Sequence, residues 1–329
     1  PHGGRIDTFS RTPLASAMST TANERSRQRA VAPPTIREHR IPTKDSRPYI
    51  ATEAADGALW FCESGASKIG RLDTKTYAFT EFDLPTLNAT PIGIIPGPDG
   101  SLWFAEKSAN KIGRITLKGE IKEFPLPTPN AGPDAMMLGP DGNIWFSETE
   151  ISQIGRITPD GKITEFKDGI TPGSKPLSIV VRDGALWFSE AAGSRVGRMT
   201  MDGKVTEFPI PSHDSQPRAM VTHPDGSIWF VETSTNALGR IDRDGKIVEH
   251  KVPTPDASLR GVTVGLDGDL WYTANFANKI GRMAPDGTVL GEYDIPTPKS
   301  GARCIAPMSD GRLFFTQWDA GLIGEVIPR

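Results

Sequence analysis

One phrase returns seven times along this chain: ALWF at residues 58–61, then SLWF (101–104), NIWF (143–146), ALWF (185–188), SIWF (227–230), DLWY (269–272) and RLFF (312–315). Its aromatic anchors, Trp60, Trp103, Trp145, Trp187, Trp229, Trp271 and Phe314, lie 42 or 43 residues apart throughout. A repeat of that period holds one four-stranded blade, and seven copies predict an all-β, seven-bladed propeller. The 34 glycines and 29 prolines fit this reading, since many short strands need many turns. A near balance of 37 basic and 40 acidic residues gives no broad positive field and argues against nucleic acid as a partner. No apolar run approaches the roughly 20 residues of a membrane helix, so no membrane partner is expected.

The unit that starts at Pro91 shows how a blade is written. Four short apolar segments, a (residues 92–95), b (102–105), c (111–116) and d (120–125), are separated by Pro-Asp-Gly and Lys-Gly turn signals. The glycine of the recurring IGR phrase (Gly70, Gly113, Gly155, Gly197, Gly239, Gly281, Gly324) reads as a close backbone approach in strand c rather than a phosphate cradle. The last copy ends after its strand c, while TIREHRIPT at residues 35–43 matches the d phrase and precedes the first strand a. The N-terminal segment is therefore expected to complete blade 7 and close the ring. Residues 1–34 carry no periodicity and read as a disordered tail ahead of a propeller at 35–329. Without an apolar signal core in that stretch, a cytoplasmic location is favoured, and a monomer is expected.

In such a ring, residues common to every copy serve the blade, and departures from the phrase mark a site. The d-to-a and b-to-c connections share one face and are the longer ones, which puts a small-molecule site at the channel mouth on that face. The first residue of the innermost strand a reads Tyr49, Ile92, Asp134, Leu177, Arg218, Arg260 and Arg303 around the ring. Three successive arginines suit a carboxylate or phosphate, unless they pair with Asp134 and loop glutamates. Two residues beyond the strand b aromatics, Glu63, Glu106, Glu148, Glu190 and Glu232 recur, read as accepting from their own loops or from arginines; Asn275 and Gln317 are assigned to that place in blades 6 and 7, with Trp318 as an aromatic wall. None of the five histidines falls at a channel position, which leaves no metal ligands and no catalytic triad to assign. Cys62 and Cys304 read as two free thiols in adjacent blades, a seam-crossing disulfide being the other option.

The LWFTE-like, NKIGRIT-like and ITEFPLPTP-like phrases resemble those of the streptogramin B lyases (virginiamycin B lyases), over residues 35–329. That resemblance implies ester-ring opening by C–O elimination, with Mg²⁺ held by carboxylates and a histidine moving the proton. Matching positions here depart from it: the histidines that open strand a in blades 6 and 7 correspond to Arg260 and Arg303. The carboxylate two residues before the second histidine corresponds to Gly301, and the metal-binding glutamate to Gln317 or Trp318. Two functions follow as expectations. One is a lyase-like enzyme. The other is a non-catalytic propeller that binds an anionic small molecule or peptide through Arg218, Arg260 and Arg303, with Tyr49, Asp134, Asn275, Gln317 and Trp318 around them.

Overall fold

A computed structural model describes residues 31–329. The tail assigned to residues 1–34 lies largely outside the described residues. From Thr35 onward the described chain forms seven four-stranded antiparallel sheets and no helix. Blade 2 is representative: strand a is Pro91–Pro96, b Leu102–Glu106, c Lys111–Ile115 and d Ile121–Pro125. The seventh sheet joins strands from both ends of the sequence. Thr35–Arg40 pairs along its whole length with Leu322–Ile327, from Thr35↔Ile327 to Arg40↔Leu322, as the sequence predicts. No open ladder is left at the seam.

Each blade buries its LWF phrase completely, and the core is the stack of interfaces between neighbouring sheets. The strand c glycine is explained by what lies over it. Across each sheet the strand b aromatic, the strand c glycine and a strand d glutamate are in line, for example Phe104↔Gly113↔Glu123. A Cβ on Gly113 would come within 2.1 Å of the Phe104 ring, so only glycine lets the ring lie flat across strand c.

The strand d glutamates tie blade to blade. Glu123 accepts from the backbone N–H (3.1 Å) and hydroxyl (2.7 Å) of Thr86 in the loop before blade 2, and Glu165 and Glu207 treat Thr128 and Thr171 alike. Glu38, in the N-terminal strand, makes the same two bonds to Thr297 and so closes the circle a second time. The asparagine of the NKIG phrase has a related task. Asn110 adopts a left-handed conformation (φ 56°), accepts from Ala131 N and donates to Thr128 O, which pins the next d-to-a loop.

The five strand b glutamates are structural, but not as acceptors. Glu63, Glu106, Glu148, Glu190 and Glu232 are fully buried, and among the described residues the donors near them are the Thr235 hydroxyl on Glu232 and the Ser174 hydroxyl beside Glu190. Burial, reinforced by the strand d glutamate alongside, pushes four of their carboxyls up to about 8 and that of Glu190 to about 7. Below those values the strand b acid keeps its proton beside the strand d carboxyl. Blade 6 solves the same problem differently: Ala274 stands where the glutamate would, and Tyr272 replaces phenylalanine and donates its hydroxyl to Glu292 (2.9 Å).

Candidate functional site

The seven strands a surround a channel with a cavity of about 510 Å³. At its mouth, on the face of the d-to-a and b-to-c loops, Arg218, Arg260, Arg303, Asp134 and Tyr49 converge on the lining. The mouth residues sit where the ladder is broken. In blade 5, for instance, Pro217 pairs with Glu232 and pairing resumes only at Met220↔Phe230. Arg218 falls in that irregularity, free of the register that fixes the rest of the strand.

Among the described residues, none of the three arginines forms an ion pair with a carboxylate, and their Nε groups are buried without a partner. Burial lowers the pKa of Arg260 to about 10, and the guanidinium groups of Arg218 and Arg303 on either side add to the shift. It stays charged at neutral pH, in the field of two like charges. Arg303 is held by aromatic faces, its guanidinium carbon 4.3 Å from the ring centre of Trp318 and 5.1 Å from that of Tyr49. Tyr49 and Trp318 meet edge to face at 5.3 Å. Burial raises the Tyr49 hydroxyl pKa, with Asp134 adding to it, so the phenol is neutral.

Asp134 does not neutralise the arginines. It accepts from Lys107 Nζ at 2.9 Å, and Glu150 lies 3.6 Å from the same ammonium. Burial pushes the Asp134 carboxyl up, while Lys107 opposes that shift. The mouth thus has an internally paired side (Lys107, Asp134, Glu150) and an unpaired cationic side.

Two residues expected at the site do not line the cavity. Gln317 is fully buried inside blade 7, opposite Ala302 and Leu322 in the ladder, where its amide replaces the strand b acid of blades 1–5. Asn275 is not the counterpart of the glutamates. Ala274 is, and Asn275 belongs to the next position, which reads Ser64, Lys107, Thr149, Ala191, Thr233, Asn275 and Trp318. Four of these side chains hold a carbonyl at the start of the following blade: Ser64 on Pro91 O, Thr149 on Pro176 O, Thr233 on Leu259 O and Asn275 on Ala302 O. Lys107 and Trp318 reach the mouth from that same position. The sequence carried this signal, because small polar residues give way there to a lysine and a tryptophan. Lys107 stands one residue past the strand b glutamate pattern, which therefore does not single it out.

Three of the histidines among the described residues take scaffold roles. His39 stacks on Tyr77 and faces Glu325 at 3.2 Å, His250 covers Trp229, and His223 bonds Gly268 O. Cys62 and Cys304 are free thiols, the first buried and the second on the channel wall. The residues present do not fit the Mg²⁺ that the resemblance implies. Arginines and an amide occupy the matching positions, and among the described residues no three His, Cys, Asp or Glu side chains gather as metal ligands. At Gly301 a Cβ would lie 2.2 Å from Asp319 Oδ2, so a longer side chain could not enter without moving Asp319.

Comparison with known proteins places this geometry. A streptogramin B lyase structure superimposes with a TM-score of 0.86 at 36% identity, covering 91% of this chain and 99% of that one. Virginiamycin B lyase from Staphylococcus aureus is 38% identical, with a TM-score of 0.85 over 89% of this chain and 99% of its own. A catalytically inactive histidine-to-alanine variant of that enzyme, solved with quinupristin, matches equally well. No curated protein matches the sequence. The sequence signature of the virginiamycin B lyase family covers residues 18–181 and 137–329, so the blade phrases, the closed ring and the solved relatives agree, and the chain belongs to that family.

Proposed function

We propose that this propeller binds an anionic small molecule, or the carboxylate of a peptide, at the channel mouth, and that it does not open streptogramin rings efficiently. The observation that carries this reading is the set of Arg218, Arg260 and Arg303, gathered in one lining without a carboxylate partner. An anion there would relieve the mutual repulsion of three guanidinium groups and accept charge-assisted bonds in a partly dry site. Arg303 is already oriented by Trp318 and Tyr49, so little side-chain freedom is lost on binding.

Elimination asks for other groups. It needs a base at the acidic C–H and an electrophile at the ester carbonyl. Arg260, lowered to about 10, is protonated at pH 7 and is no base. The lyase reading rests on family membership, and the relative bound to quinupristin loses its activity with a single histidine. Calorimetric titration with citrate, phosphate and sulfate should show binding that Arg260→Gln weakens by about 10- to 100-fold, the worth of one charge-assisted hydrogen bond. A type B streptogramin, incubated with and without Mg²⁺ and followed by mass spectrometry, should stay closed. Rapid Mg²⁺-dependent elimination, or no anion binding at all, would overturn the proposal.

A further inference from the structure

The channel below the arginines is built for something other than a small hydrated ion. Beneath the mouth the wall passes through small residues, Ser178, Ala219, Gly261 and Cys304, and then becomes largely apolar, with Thr52 and Thr263 as the hydroxyl-bearing members of that level. Ile95, Met137 and Val221 line this deeper stretch and remain partly exposed, backed by Met220, Val262 and Ile305. The Ser178 hydroxyl already accepts from Met220 N (3.1 Å). Between the arginine level and Glu53 at the far end no charged side chain lines the cavity, and Glu53 is itself engaged by the backbone N–H (2.8 Å) and hydroxyl (2.7 Å) of Ser309. A cationic rim over an uncharged, largely apolar bore has the polarity of a site for an anionic amphiphile.

We infer that the ligand is a carboxylate with an unbranched or slender apolar tail, its head on Arg218, Arg260 and Arg303 and its tail down the channel beside Ile95, Met137 and Val221. The inference rests on the anion site proposed above and names its ligand class. A tail in this bore removes its own methylenes and the apolar wall from water together, which a purely polar anion such as citrate does not.

The test is a titration series of butanoate, hexanoate, octanoate and decanoate, with inorganic phosphate and decanol as controls. Each added methylene should tighten binding by about fourfold until the bore is filled, the equivalent of ~0.8 kcal/mol per buried methylene. Decanol, with the tail and no charge, should bind at least about tenfold more weakly than decanoate. Ile95→Thr combined with Val221→Thr should lower decanoate affinity about tenfold and leave phosphate unchanged. The fold accepts threonine at that register, since Thr52 and Thr263 stand opposite the blade tryptophan in blades 1 and 6, where Ile95 and Val221 stand in blades 2 and 5. Binding of phosphate and butanoate with no gain along the series would sink the tail and keep the anion site. Failure of every anion would remove both. A gain per methylene that survives the double variant would place the tail outside the channel and overturn the inference.

Discussion

Replacing Glu148 by glutamine isolates one of the buried acid pairs. Glu148 is fully buried beside Glu165, which is occupied by the N–H and hydroxyl of Thr128. Burial, then the charge of Glu165 and a hydrogen bond to it, push the Glu148 carboxyl from 4.5 up to about 8. The fold thus retains a proton that the unfolded chain gives up. Stability from this group is fully present below about pH 4.5, and falls as pH rises to about 8, where the buried acid itself ionises. At about 1.4 kcal/mol per pKa unit the shift corresponds to roughly 5 kcal/mol, which side-chain relaxation and water entry reduce. Glutamine has nearly the same shape, keeps an N–H donor for Glu165 and cannot ionise; blade 7 already carries Gln317 at this position. The expected result is that Glu148→Gln lies within about 1 kcal/mol of the parent at pH 5 and is more stable by about 2 kcal/mol or more at pH 9. Urea unfolding at both pH values, with unchanged denaturant slope, reads this directly. A variant equally shifted at both pH values, or destabilised at pH 9, would show that Glu148 is ionised in the fold and that the pair is misassigned.

Two further outcomes follow from the scaffold. Tyr272→Phe deprives Glu292 of its blade-internal donor and should cost about 1–3 kcal/mol, whereas adding Ala274→Glu to it recreates the pairing of blades 1–5 and should recover most of the loss near pH 6, read by thermal unfolding. Deleting the chain through Arg40 removes both the pairing with Leu322–Ile327 and the Glu38 clamp on Thr297; light scattering should show aggregation and Tm should fall by several degrees, and an unchanged, monodisperse product would refute the closure.

The blades were legible because their information is periodic. Trp103 and its equivalents recur at a fixed spacing, and the match of residues 35–43 to a d phrase locates the closing strand before any coordinates are known. Chemistry at single positions was harder to read. The strand b glutamates look like acceptors in the sequence, and only the folded sheet brings Glu148 within hydrogen-bonding reach of Glu165 with no N–H donor near it, so that burial holds its carboxyl well above the usual range. In blade 6 the glutamate is replaced by alanine, and polarity alone moves the eye to Asn275; the ladder partner Leu259↔Ala274 fixes the register that polarity obscured. The compensation by Tyr272 joins residues on different strands, and nothing local in the sequence announces it.

Why the departures gather at the mouth of blades 5 to 7 without disturbing the blades has a structural answer. In every blade the ladder between strands a and b is interrupted between the first paired residue and the third residue after it, as at Pro91/Ile94, Pro217/Met220, Leu259/Val262 and Ala302/Ile305. The residue that faces the channel mouth sits inside that interruption. Tyr49, Asp134, Arg218, Arg260 and Arg303 therefore exchange chemistry without changing a cross-strand pair or the LWF core behind them. Two of these residues have a support in the preceding blade, at the position after the strand b acid: Lys107 for Asp134 and Trp318 for Tyr49, where the long side chains replace a small residue. Trp318 also flanks Arg303 of its own blade, so a change at the mouth draws on few positions outside the strand a interruption. A family scaffold can then persist at 38% identity to a lyase while the residues at its channel mouth vary.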